Sequence, residues 1–273
     1  MTDFTAPDGV RLHYEDEGAG IPLLCLSGLT RNTRDFDFVL PHLSGFRVIR
    51  MDYRGRGQSD WADYKTYDVG VEARDAVALL DHLGIEKVAV LGTSRGGIIA
   101  MVIAATAKDR LLGVAFNDVG PVVDTSGLDA IKTYLGKPPG FATLDEMAAA
   151  RAADKSQFDN VPLDRWRQML AHTYVETPEG LAINYDPKLY DAVAPGFDGP
   201  AADAWPLYDM LSDLPVAIIH GANSDLLSTE TAEEMARRHP GAILAHVPDR
   251  GHIPFLDEPE ALDALSAWKG QLS

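Results

Sequence analysis

Short apolar runs and helix-period stretches take turns along the first third of the chain. Runs at 11–17, 22–27, 47–52 and 87–92 have strand character. The last three are almost wholly apolar without alternation, the pattern of strands covered on both faces. Between them, 35–43 has apolar positions at helical spacing. In 71–83, Val71, Ala73, Ala76, Val77, Leu79, Leu80 and Leu83 form one stripe that closes on Gly84, a helix stop. A further helix is expected over 96–108 and a strand over 112–117. Strand–helix alternation of this kind predicts right-handed crossovers and a mostly parallel sheet with helices on both faces, an α/β fold. The rhythm breaks after Asp118. Through 120–203 only helical signals stand out, at 129–135, 144–153 and 163–175, with Gly and Pro between them. Alternation returns with a strand at 216–220, a helix at 229–238, a strand at 242–247 and a helix at 259–272. The chain therefore divides into a core of residues 1–119 and 204–273 and a helical insertion, 120–203, too long for a bare loop and read as a cap.

Composition narrows the class of partner. The 273 residues are 46% apolar and 24% charged, ordinary for a globular chain long enough to bury a sizeable core. Lys and Arg total 24 against 41 Asp and Glu, a formal charge of −17. Such a surface repels phosphate backbones and anionic bilayers, so nucleic acid and membrane are excluded as expected partners and a small molecule is favoured. A second copy of the chain stays open as a partner. No run of about 18 apolar residues occurs, and the first eight residues carry neither a basic nor an apolar segment of a secretory signal. The single cysteine, Cys25, lies within Pro22-Leu-Leu-Cys-Leu26, where a buried core thiol is expected. Together these features point to the cytoplasm.

The chemistry concentrates at Gly92-Thr-Ser94-Arg-Gly96. This G-x-S-x-G follows the apolar run Val88–Leu91 and precedes a helical run, the context in which a serine sits on a sharp strand-to-helix turn. Gly92 and Gly96 leave out side chains that would strike the neighbouring strand and helix. The Arg95 amide and the helix N-terminus then face Ser94, where negative charge would develop. A serine hydroxyl needs a base, and the base needs an orienting acid. Of eight histidines, His252 in Asp249-Arg-Gly-His252 stands just past the 242–247 strand, at the C-terminal edge of the sheet where such sites assemble. Asp225, in Gly221-Ala-Asn-Ser-Asp225, follows the 216–220 strand and is the favoured acid. Asp118, which follows the 112–117 strand, is its rival. A second oxyanion donor is expected from the loop Ser27-Gly28-Leu29-Thr30, with Gly28 permitting close approach and the Leu29 amide pointing at the substrate.

These residues resemble the α/β-hydrolase superfamily over nearly the whole chain, in particular its capped enol-lactonases and meta-cleavage product hydrolases. Ser27-Gly28-Leu29 stands where the family's His-Gly oxyanion loop lies, with Ser27 in place of the usual His. Asp52-Tyr-Arg54-Gly-Arg-Gly57-Gln-Ser59 is similar to the family's Asp-x-Arg-Gly-x-Gly-x-Ser turn and is read as structural. The resemblance implies acyl transfer to water through an acyl-serine, with Ser94, Asp225 and His252 as triad, Leu29 and Arg95 as oxyanion hole, and no metal or organic cofactor. The expected activity is cleavage of a small ester, lactone or thioester. Hydrolysis of a C–C bond beside a ketone is the alternative, and a small-molecule binding protein on the same fold is the alternative of another class. Expected substrate contacts are Gly28, Arg95, Tyr134, Trp166 and His172, with the Arg95 guanidinium either paired to a nearby acid or holding a substrate carboxylate.

Overall fold

The computed structural model describes residues 2–197 and 203–272. Its frame is an eight-stranded sheet of β1 (Thr2–Thr5), β2 (Arg11–Gly18), β3 (Ile21–Leu26), β4 (Phe46–Met51), β5 (Val88–Thr93), β6 (Leu111–Asn117), β9 (Val216–Gly221) and β10 (Ile243–Val247). Their order in space is β1-β2-β4-β3-β5-β6-β9-β10. β1 and β2 run antiparallel to their neighbours, and from β4 to β10 every pairing is parallel. Around it pack α1 (Val69–His82), α2 (Arg95–Thr106), α8 (Thr229–Arg238) and α9 (Pro259–Lys269). Two apolar layers hold this arrangement. Leu79, Ile99 and Met235 seal one face, and Val39, Leu265 and Trp268 seal the other. β5 is buried at every position, which is why its sequence shows no alternation.

The 35–43 helix does not form. Asn32 caps a 3-10 turn at Thr33–Phe36 by accepting from the Arg34 amide, and a second short turn at Leu40–His42 contains Pro41, which has no N–H to continue a ladder.

The stretch between β6 and β9 holds α3 (Thr125–Tyr134), α4 (Leu144–Ala153), α5 (Leu163–Thr173), the hairpin β7 (Tyr174–Thr177) and β8 (Gly180–Ile183), α6 (Leu189–Phe197) and α7 (Trp205–Asp209). The hairpin was not expected. The predicted 163–175 helix stops at Thr173; the β-branched and aromatic residues Tyr174, Val175 and Thr177 favour the strand that follows, and Gly180, at φ +115°, completes the reversal. Of the expected 120–203 insertion, residues 198–202 lie outside the described residues.

Candidate active site

Ser94 sits at φ 52° and ψ −118°, a conformation that β5 and α2 impose on it from either side. The turn closes only without side chains on its flanks. A Cβ at Gly92 would lie 2.6 Å from the Gly97 nitrogen, and one at Gly96 would lie 2.0 Å from the Leu26 carbonyl. The Ser94 amide donates to the Asn117 carbonyl (3.0 Å), so the serine stands at the junction of β5 with β6. Its Oγ lies 2.9 Å from His252 Nε2.

Asp118 occupies the other side of the imidazole. Its Oδ2 is 2.8 Å from His252 Nδ1, and the residue is fully buried. The register explains the position. Thr93 pairs with Asn117, so Ser94 and Asp118 are the first residues beyond one paired rung of neighbouring strands. The loop after β9 supplies donors to this carboxylate rather than the carboxylate itself. Gly221 N–H donates to Asp118 Oδ1 (2.8 Å) and the Ser224 hydroxyl donates to Oδ2 (2.6 Å). Asp225 is thus corrected as the acid. It lies one residue past Ser224, where its carbonyl accepts from the Gly127 amide (3.1 Å) and the residue lines the cavity instead. The His252 loop is tied back to β6 by Asn117 Nδ2, which donates to the Pro254 carbonyl (3.2 Å).

The loop after β3 lies over the serine. A Cβ on Gly28 would sit 3.8 Å from that of Ser94. Tyr53 donates to the Ser27 carbonyl (3.1 Å) and Arg56 Nε to the Leu29 carbonyl (3.1 Å), which fixes the loop where the family usually has a histidine. Neither the Leu29 nor the Arg95 amide donates to an acceptor among the described residues.

The Arg95 side chain turns away from the site. Its Nε donates to Glu72 (2.6 Å) and a terminal nitrogen donates to the Tyr67 carbonyl (3.0 Å), while Arg56 takes the other oxygen of the same buried Glu72 (2.9 Å). The substrate-carboxylate reading of Arg95 is therefore corrected, since its guanidinium is already satisfied by a carboxylate and a carbonyl. Arg54 forks onto Asp75 (2.8 and 2.7 Å) and reaches Asp8 (2.7 Å), the loop-tying role read from its motif.

A cavity of about 550 Å³ opens above Ser94 and His252. Gly28, Leu29, Tyr134 and Trp166 line it, as do Arg31, Arg151 and Tyr174. His172 does not. It is buried in an adjoining crevice with Phe38, Asp35 and Phe255, where its carbonyl accepts from Asn32 (2.6 Å) and Asn184 (2.8 Å). Burial, with Arg34 alongside, pushes its pKa down to about 4. As a neutral ring packed against Phe38 it supports the wall and touches no part of the main cavity. Arg31 is the site residue that sequence reading missed. Its signal was its place two residues after Leu29, in the loop that approaches the serine. Among the described residues no cluster of three or more His, Cys, Asp or Glu is arranged to hold a metal ion.

The model of the alpha/beta hydrolase fold family matches residues 21–259, and the chain belongs to that family. It is 37% identical over 251 residues to the 3-hydroxybutyrate-oligomer hydrolase of Cupriavidus necator, covering 87% of this chain and 84% of that one. It is 26% identical over 252 residues to the 2-(acetamidomethylene)succinate hydrolase of Mesorhizobium japonicum, with 92% and 88% covered. The crystal structure of an alpha/beta hydrolase from Novosphingobium aromaticivorans superposes with a TM-score of 0.90 at 36% identity, over 99% of this chain and 97% of that one.

Proposed function

We propose that this hydrolase is a serine esterase that cleaves a short carboxylic ester through an acyl-serine. The observation that carries the reading is the line of contacts Ser94 Oγ–His252 Nε2 at 2.9 Å and His252 Nδ1–Asp118 Oδ2 at 2.8 Å, opening onto a cavity of substrate size.

His252 Nε2 takes the hydroxyl proton as Ser94 Oγ attacks the ester carbonyl. The carbonyl oxygen gains the electron pair and is received by the Leu29 and Arg95 amides, which have no protein acceptor among the described residues to compete for them. Collapse expels the alkoxide, and the proton on His252 passes to it, leaving an acyl-serine and free alcohol. Water, deprotonated by the same Nε2, attacks the acyl carbon. Breakdown returns the proton to Ser94 Oγ and releases the acid. Asp118 holds Nδ1–H throughout, which keeps Nε2 the basic nitrogen and faces the imidazolium with a negative charge. The likeness to a 3-hydroxybutyrate-oligomer hydrolase supports an ester as the scissile bond.

Ser94→Ala tests the reading. With p-nitrophenyl butyrate its kcat should fall by about 10⁴-fold or more with the circular dichroism spectrum unchanged. A fluorophosphonate should add once to the wild type, at Ser94. Labelling at another residue, or turnover by the alanine variant near that of wild type, would refute it.

A further inference from the structure

The cavity is lined largely by apolar and aromatic groups, Phe141, Met147, Phe158, Trp166, Met169 and Leu170 among them, yet two guanidinium side chains enter it. Arg31 comes from the loop over Ser94, with its amide on the Gly28 carbonyl (3.1 Å). Its ion pair is thin. One terminal nitrogen lies 3.4 Å from Asp35 Oδ1, and Asp35 Oδ2 has no partner. Arg151 reaches in from α4 and lies 5.1 Å over the Trp166 ring, and among the described residues no carboxylate comes within 4 Å of it. The two approach one region, since both bear on the phenols of Tyr134 and Tyr174 and pull their pKa values down against the upward push of burial. The acids that also line the cavity are engaged. Asp154 accepts from the Ser156 amide (2.9 Å), and the Ser156 hydrogen bonds, with a smaller contribution from Arg151, hold its carboxyl below the ordinary range; Asp225 has a partner of its own.

The buried arginines among the described residues, Arg50, Arg54 and Arg56, are each matched by a carboxylate, as is Arg95. Arg54 has two carboxylates, and Arg56 and Arg95 share Glu72. A guanidinium fork partly removed from water binds best to a planar anion that accepts two parallel hydrogen bonds. A neutral substrate would strip water from both forks and return nothing. In a chain of net charge −17, two under-matched arginines beside the candidate nucleophile bring cationic groups to the site, against Asp154 and Asp225 in the same lining.

We propose that Arg31 and Arg151 anchor a carboxylate of the substrate, so that the enzyme acts on short esters bearing a free carboxylate, the class to which hydroxy-acid oligomers belong. The inference rests on the ester-hydrolase reading of Ser94. With the carboxylate held at the arginines, the ester carbonyl is presented to the serine at a fixed distance from the charged end. Chain length between the two groups is then a determinant of rate.

The test compares 3-butyryloxybutanoate with its uncharged carboxamide, which differ only at the charged end. Wild type should prefer the acid by about 30-fold or more in kcat/KM, mainly through KM, as expected for charge-assisted hydrogen bonds. Arg31→Gln and Arg151→Gln should each reduce that preference about tenfold, and the double variant should abolish it. Arg31→Lys and Arg151→Lys, which keep charge without the fork, should fall between and serve if a glutamine variant fails to fold. Equal handling of the two substrates by wild type, or variants that lose both equally, would overturn the anchor and leave the esterase reading intact. A second measurement separates the two readings. Calorimetric titration of 3-hydroxybutyrate into Ser94→Ala should show binding that Arg31→Gln weakens about tenfold. Arginine-dependent binding without ester turnover by wild type would sustain the anchor and sink the esterase, and binding indifferent to Arg31 and Arg151 would overturn the anchor.

Discussion

Asp118→Asn removes one charge and one acceptor at a place where the surrounding donors dictate how the new amide must lie. Gly221 N–H, fixed in backbone, points at Oδ1, so the amide oxygen must stay there. The NH₂ group is then forced to the Oδ2 position, 2.8 Å from His252 Nδ1 and 2.6 Å from the Ser224 hydroxyl. Ser224, whose Oγ already accepts from the Leu226 and Leu227 amides (3.2 and 3.1 Å), can turn its proton away and give up that one hydrogen bond. His252 cannot keep Nδ1–H against an NH₂ donor, so the imidazole must shift its proton to Nε2, the nitrogen that has to receive the proton of Ser94. The variant therefore places the wrong tautomer against the nucleophile in an otherwise intact site. A loss of about 10³–10⁴-fold in kcat is expected, equivalent to about 4–5.5 kcal/mol of transition-state stabilisation. Asp225→Asn, by contrast, should stay within about threefold of wild type on p-nitrophenyl butyrate. The assay is steady-state kcat/KM for both variants, with thermal unfolding to confirm that each is folded. Asp118→Asn retaining a tenth of wild-type activity, or Asp225→Asn proving the more damaging, would refute the tautomer argument.

Other expectations follow from burial. Cys25 is inaccessible and its thiol is pushed up to about 12 by burial, so native protein at pH 8 should leave it unlabelled by dithionitrobenzoate over hours, with one equivalent reacting in denaturant. Rapid native labelling would contradict its place in the core. His172, ordinarily titrating near 6.5 and here pushed down to about 4, binds its proton more readily in the unfolded chain. Its effect on stability is therefore absent above about pH 6.5 and grows as a destabilisation down to about pH 4, to at most about 3 kcal/mol. The groups facing it are Asp37, Arg34 and Arg31. Since buried Asp35, Asp52 and Asp75 are pushed up and gain stability on acidification, the measurement is the difference between wild type and His172→Gln in urea at pH 7 and pH 5. The acid-induced loss should be smaller in the variant, and an equal loss in both would refute the shift.

The sheet was legible because buried parallel strands leave an unmistakable trace. Each expected run overlaps a strand of the structure, from 87–92 within one residue of Val88–Thr93 to 216–220 against Val216–Gly221. β1 escaped notice because its four residues carry one buried side chain, Phe4. The hairpin of β7 and β8 escaped because its burial is partial and aperiodic. The elbow was legible for a different reason. Contacts of 2.0 and 2.6 Å leave only glycine at two fixed offsets from the serine, so sterics write the motif. Nothing comparable distinguishes the acid. Asp118 and Asp225 both follow strands that end at the same edge, and the choice depends on a register, Thr93 against Asn117, that pairing decides and composition does not. The direction of Arg95 was equally hidden, because Glu72 lies 23 residues upstream on α1 and comes within 2.6 Å only through α1–α2 packing.

The roof of the cavity and its floor are joined at several separate points around the site. Asn32, in the loop after β3, donates to the His172 carbonyl at 2.6 Å, and Arg34 donates to that of Ala171 at 3.1 Å. On the His252 side, Arg165 pairs with Asp257 at 2.7 Å while Arg250 donates to the Asp159 carbonyl at 2.9 Å. Near α1, the Tyr67 hydroxyl donates to Asp186 at 2.7 Å. One of these contacts would permit rocking, but three sets at different positions around the rim oppose rotation about any single axis. The walls that carry Tyr134, Arg151 and Trp166 are thus held in register with Ser94 before substrate arrives, so little ordering cost is left for binding to offset. The same ties bear on the proposed carboxylate anchor, which draws its two guanidinium groups from opposite layers. Arg31 belongs to the sheet side and Arg151 to the roof, and a carboxylate can satisfy both only if the spacing between layers is fixed.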